Sequence, residues 1–274
     1  MRILIKAFLI GIILATVCMP LAAQSNQPLY IYVPNGSVGG NGGIFSAFKA
    51  DPTTGALSVV PGSPFQAGGG VGAVAVDPAG RFVYVSSITN DGSKNWLWVF
   101  SVDQTTGSLT PLLNSPFPGG GGAIAMDPTG RFLYADDMNP SNSGFALQVY
   151  SIDPVSGVPT QLSGSPFPGA TPSILTVDPS GNFLYFQSPQ SNQYMTTESI
   201  DFETGVPTIV DYTVIITSGD PGTPWVAVDP LDRFIATNGT QIFRMNPIYG
   251  YPTNPALPAA ASGTSVFDPS GRFL

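Results

Sequence analysis

Along most of the chain the apolar positions come in short stretches with a two-residue period, as in Ala73-Val74-Ala75-Val76, Phe82-Val83-Tyr84-Val85 and Leu97-Trp98-Val99-Phe100. This is strand rather than helix periodicity, and nothing after the first 23 residues reads as a helix. Polar turn clusters separate the stretches at nearly constant spacing. Each repeat therefore predicts a strand A before a first turn, B after it, C before a second turn and D after that. In one unit these are Ala73 to Val76, Phe82 to Ser86, Trp96 to Val102 and Leu109 to Leu113.

The first turn recurs as Asp77-Pro78-Ala79-Gly80-Arg81-Phe82, Asp127-Pro128-Thr129-Gly130-Arg131-Phe132 and Asp178-Pro179-Ser180-Gly181-Asn182-Phe183, then at Asp229 to Phe234 and Asp268 to Phe273. The offsets are 50, 51, 51 and 39, the scale of one four-stranded blade. A second turn keeps step with it at Asp51 to Gly55, Asp103 to Gly107, Asp153 to Gly157 and Asp201 to Gly205, and Ser-Pro-Phe recurs at Ser63, Ser115 and Ser165. In these turns Asp accepts backbone N–H bonds, Pro presets φ and Gly takes a positive φ. The Arg that follows the first turn recurs at 81, 131, 233 and 272, so it is read as a structural partner of a nearby Asp. The fold class that follows is all-β, a β-propeller with about five repeats.

Arg2 and Lys6 precede an apolar run from Ala7 to Val17 and then Pro20-Leu21-Ala22-Ala23, the layout of a cleavable signal peptide over residues 1–23. The propeller then occupies 24–274, and a periplasmic or secreted location is expected. Cys18, the single cysteine, is expected to leave with the leader, so neither thiol nor disulfide would remain. Removing Arg2 and Lys6 leaves 7 basic against 17 acidic side chains, a net charge near −10. That balance disfavours nucleic acid and anionic membrane surfaces as partners. The abundance of turn formers, 32 Gly and 28 Pro, fits many short strands.

The combination of Tyr-Ile-Tyr-Val, Asp-x-x-Thr-Gly-x-Leu, Gly-Ser-Pro-Phe and Asp-Pro-x-Gly-Arg-Phe resembles the bacterial lactonase family of seven-bladed propellers, related to propeller-type 6-phosphogluconolactonase. The resemblance spans Leu29 to Leu274 and implies hydrolysis of a small sugar lactone in a pocket on one propeller face, with His, Glu and Arg expected there. This sequence contains no histidine, so any such hydrolysis must use a carboxylate as base. The alternative is a non-catalytic cell-envelope propeller that binds a protein or glycan. Leu29 to Val33 aligns with strand B, and the sequence stops at the start of another strand B. Either a strand A near Val266 closes a five-bladed ring or the sequence is an incomplete seven-bladed one, and the second is expected.

Charges outside the repeat are the candidate site residues. Asp91, Lys94, Asp136 and Asp137 fall in B–C loops and Asp220 in a D–A loop, on the face opposite the repeated turns, where a substrate would bind. Glu198 aligns with Phe48, Phe100, Tyr150 and Phe243, so a carboxylate takes a strand C position that is aromatic elsewhere. If that face is buried, its pKa should rise toward that of a general base. Arg244, beside Phe243, is the candidate for holding an anionic group. No cofactor is expected, and without His or a mature Cys no metal site is expected either. The glycine runs Gly68 to Gly70 and Gly119 to Gly122 lack the helix and Lys-Ser/Thr of a phosphate loop, and no Gly-x-Ser-x-Gly elbow precedes a helix.

Overall fold

The computed structural model describes residues 29–35, 42–89, 94–137, 146–168, 174–187, 194–214, 226–237 and 241–258. Among the described residues there are no helices, and the strands form five antiparallel sheets in sequence order. The first contains β1 (Leu29–Asn35), β2 (Ile44–Ala50), β3 (Leu57–Val59) and β4 (Phe65–Gln66). The second contains β5 (Gly70–Val76), β6 (Phe82–Ile88), β7 (Asn95–Val102), β8 (Leu109–Pro111) and β9 (Phe117–Pro118). The third contains β10 (Ile124–Met126), β11 (Phe132–Asp137), β12 (Ala146–Ile152), β13 (Pro159–Gln161) and β14 (Phe167–Pro168). The fourth is β15 (Ile174–Val177), β16 (Phe183–Gln187), β17 (Tyr194–Ile200) and β18 (Pro207–Val214). The fifth is β19 (Val226–Val228), β20 (Phe234–Thr237), β21 (Gln241–Met245) and β22 (Pro252–Pro258). The expected order A-B-C-D holds in each of the last four sheets, and strands A of successive blades adjoin one another.

Strand D departs from the sequence reading. It was expected to run from Leu109 to Leu113, but β8 ends at Pro111 and pairing resumes in β9. Blades 1 and 3 break in the same way, and the break is the Ser-Pro-Phe element. There the Oγ of Ser63, Ser115 or Ser165 accepts the N–H of Ala47, Val99 or Val149 on strand C. The serine thus supplies the hydrogen bond that the interrupted strand leaves open. Ser-Pro-Phe is absent from blade 4, and the register shifts instead between Thr197 and Glu198.

The core lies between blades. Phe45, Val85 and Phe100 fill the layer between blades 1 and 2, and Tyr84, Leu97, Leu133 and Tyr150 that between 2 and 3. Tyr134, Leu147, Leu184 and Phe186 fill the next layer, and Tyr185, Met195, Ile235 and Phe243 the last. A repeated polar tie pins each layer. The hydroxyls of Tyr84, Tyr134 and Tyr185 donate to the carbonyls of Gly157, Gly205 and Gly250 in the following blade, at 2.9, 3.0 and 2.8 Å. Those glycines have positive φ, and each lies against the ring two residues before the tyrosine: Phe82, Phe132 or Phe183.

Of the repeated arginines, Arg81 and Arg233 pair with the Asp of their own turn, Arg131 makes its contacts elsewhere, and Arg272 lies outside the described residues. Arg81 pairs with Asp77 at 3.0 Å and also donates to the Pro154 carbonyl of the next blade at 2.7 Å. Arg131 donates to the Phe202 carbonyl and lies 4.1 Å from the Phe202 ring centroid, a cation–π contact. Arg233 pairs with Asp229 at 2.7 Å.

Candidate functional site

The ends of strands B opposite the Asp-Pro turns carry a repeated polar position. Ser86, Asp136 and Gln187 occupy it in blades 2, 3 and 4, and all three are buried. Strand alternation puts each on the same side as Tyr84, Tyr134 or Tyr185, facing the following blade. Ser86 shows what the position does in its simplest form: its Oγ donates to the Gly122 carbonyl of blade 3 at 2.6 Å and receives the Ala73 N–H. At 136 the hydroxyl is replaced by a carboxylate and at 187 by an amide.

The glycine-rich D–A connection packs against this end. Gly121 N–H donates to the Asp136 carbonyl at 3.1 Å, and Asp136 N–H to the Ala123 carbonyl at 2.9 Å. Gln148 Oε1 accepts both Gly120 N–H and the Tyr150 hydroxyl, whose ring comes from the same strand C. A Cβ on Gly121 would stand 2.3 Å from Asn95 Oδ1, so Asn95 fills the space the glycine leaves. The glycines are packing devices here, in keeping with the absence of a phosphate-loop context. Asn95, Gln148 and Gln187 escaped a search restricted to charges. For Gln187 the signal was the fixed 50- and 51-residue offset from Ser86 to Asp136 to Gln187, immediately beyond the apolar run of strand B; Asn95 and Gln148 lie on strands C outside that offset.

Of the residues singled out by sequence, Asp136 lies in this cluster. Asp137 is the last residue of β11, and nothing is described of its side chain. Lys94 is exposed at the same end of blade 2, its backbone closing the loop with Thr89 and its ammonium 5.9 Å from the Trp96 ring centroid. Asp91 and Asp220 lie outside the described residues. Glu198 is in a different place. It pairs with Leu184 and Ile209 across the sheet and faces the layer between blades 3 and 4, two strands out from the adjoining strands A. It is 5% exposed, its Oε2 has no hydrogen-bond partner, and burial pushes its pKa up to about 7. Arg244 is exposed on blade 5, with its guanidinium 5.5 Å from the Phe234 ring centroid. It points away from the layer that Phe243 fills against blade 4, so blade 4, the layer between blades 4 and 5 and blade 5 itself separate Glu198 from Arg244. The structure therefore does not bring those two together.

Among the described residues no group of three or more His, Cys, Asp or Glu could hold a metal ion. Nor is any helix there long and apolar enough to cross a membrane.

The family model described as "Lactonase, 7-bladed beta-propeller" matches residues 42–137 and 114–220, which together cover well over half of the chain. The chain belongs to this lactonase family. Similar solved structures include the periplasmic gluconolactonase of Pseudomonas aeruginosa, at 18% identity and TM-score 0.66, covering 91% of this chain and 75% of that one. A protein of Bacteroides uniformis named as a candidate 6-phosphogluconolactonase is similar at 16% identity and TM-score 0.55, covering 90% and 88%. An auxiliary nutrient binding protein of Bacteroides thetaiotaomicron is similar at 15% identity and TM-score 0.52, covering 89% and 62%. A search of curated proteins found no match. At these identities the structures establish the propeller fold, with five sheets described here against the seven blades of the lactonase family.

Proposed function

We propose that this lactonase-family propeller is exported and hydrolyses a small sugar lactone such as 6-phosphogluconolactone, with Asp136 as the general base. The observation that carries the reading is a buried carboxylate at the loop end of strand B, at a position that is hydroxyl or amide in the adjoining blades. With no histidine in the sequence, a carboxylate is the available base near neutral pH. In the proposed reaction water attacks the lactone carbonyl carbon while Asp136 takes its proton. The tetrahedral oxyanion is held by amide N–H groups of the kind Asn95 and Gln187 carry. Collapse breaks the bond to the ring oxygen, which takes the proton back and leaves the open hydroxy acid.

Proton release from 6-phosphogluconolactone and from glucono-δ-lactone, corrected for spontaneous hydrolysis, tests the reading. Asp136→Asn should lower kcat by roughly 10²–10⁴ while the fold is retained. Loss in Glu198→Gln with Asp136→Asn intact would instead move the base to strand C. The lack of histidine also favours a second reading, a cell-envelope propeller that binds a protein or glycan at the same end. No turnover above background by the wild-type chain would select it.

A further inference from the structure

Four of the five blades protect their outermost strand from pairing with another chain. In blades 1 to 3 that strand is cut into a three-residue and a two-residue piece by the Ser-Pro-Phe element. In blade 5, β22 carries Pro252, Pro255 and Pro258. Such breaks and prolines remove the row of free N–H and C=O groups that invites a further strand. Blade 4 has neither, its irregularity being the register shift at Val210. Its β18 runs unbroken for 8 residues, with proline only at its first position, and no other strand among the described residues pairs with its outer edge.

The side chains along β18 suit a partner as well. Ile209, Val210 and Tyr212 are 38%, 42% and 59% exposed, an apolar run on an edge. The register shift leaves Val210 opposite no residue of β17. Asp211 stands within the run, its carboxylate accepting the Thr213 hydroxyl at 2.5 Å, and the chain as a whole carries a net charge of −8. A second copy laid antiparallel along β18 would bring like charges together. A cationic strand would not.

We propose that the outer edge of β18 is a docking site for an extended, cationic segment of another protein, which adds a strand to blade 4. Its apolar or β-branched residues would lie against Ile209, Val210 and Tyr212, and a Lys or Arg would lie near Asp211. The loop-end site of the lactonase reading is not involved.

The test is fluorescence anisotropy of the full chain with a labelled Lys-Thr-Val-Lys-Ile-Thr-Val-Lys peptide, in about 150 mM salt. Deuterium exchange of Thr208 to Val214 is followed in the same samples. Saturable binding is expected, with new amide protection confined to β18. Val210→Lys, and a peptide with its two valines replaced by proline, should each weaken binding roughly tenfold or more. Equal binding of the proline peptide would mean charge adsorption alone and overturn the proposal. So would no binding, or protection that appears elsewhere. A wild-type dimer that Val210→Lys dissociates would show that a second copy takes the edge, which also overturns it. The exchange measurement on the wild-type chain decides the matter even if the variant fails to fold.

Discussion

At position 198 a carboxylate stands where the other four blades place Phe48, Phe100, Tyr150 and Phe243. Burial without a partner for Oε2 raises its pKa from 4.5 to about 7, and its charge pushes the nearby Tyr134 hydroxyl further up. The folded state thus binds its proton more tightly than the unfolded state. Stability from this group is fully present below pH 4.5 and is lost as pH rises toward 7, a difference on the order of 3 kcal/mol. Glu198→Gln removes the ionisable group at nearly constant volume. Urea unfolding at pH 8 should show the variant more stable by roughly 1–3 kcal/mol, and at pH 4.5 little different. A variant less stable at pH 8 would mean that the ionised carboxylate has a partner. Alignment alone marked this residue, because a charge among aromatics is visible without knowing what faces it. Its position in an interblade layer required the pairing with Leu184.

At the scale of the turn, the glycine after each Asp-x-x-Ser/Thr pair has two duties that can be separated. Gly55 and Gly157 have nearly equal φ, +70° and +73°, so any other residue is strained at both. Nothing lies within 4 Å of a Cβ built on Gly55, whereas one on Gly157 would stand 2.5 Å from Phe82 Cδ1 in the preceding blade. Gly55→Ala should therefore cost only the backbone term, roughly 1–2 kcal/mol. Gly157→Ala should cost a further 1–3 kcal/mol, roughly, for displacing a packed ring. Equal losses in chemical denaturation would show that the ring yields freely and that the interblade contact does not matter. The turn was legible in the sequence because its Asp and Gly act on their own neighbours. The split of strand D was not, because the serine that bridges it bonds to a backbone N–H 16 residues away.

At the scale of the whole molecule, the period of the sheets among the described residues was legible from the Asp-Pro turns at Asp77, Asp127, Asp178 and Asp229, whereas the turn at Asp268 lies outside them; the ties between blades were not legible. The Tyr84 and Tyr134 bonds join residues 73 and 71 apart, a separation that no local pattern reports. The loop-end cluster was half legible: Asp136 stood out by charge, and Gln187 and Asn95 did not. The charged groups of the assembled molecule also predict the shape of its pH dependence. Asp51, Asp103, Asp153 and Asp201 are held below their ordinary pKa, chiefly by hydrogen bonds from the residue three along. Their contribution is present above the usual carboxylate pKa and is lost as pH falls through their lowered values. Glu198 acts oppositely, and so does Asp232, which burial and then the nearby Asp178 and Asp229 push up to about 6. Stability should thus rise out of strong acid, peak near pH 4–5 and decline toward pH 7, roughly. Asp232 has a φ of 54° in a place that Gly80, Gly130 and Gly181 fill in other blades, so Asp232→Gly relieves backbone strain while removing the charge. In urea unfolding from pH 3 to 8, the double variant Glu198→Gln/Asp232→Gly should lose the decline toward neutrality and keep the acid limb. The two limbs arise from different carboxylates, so a variant that keeps the neutral decline, or loses both limbs together, would mean that net charge rather than these groups sets the profile.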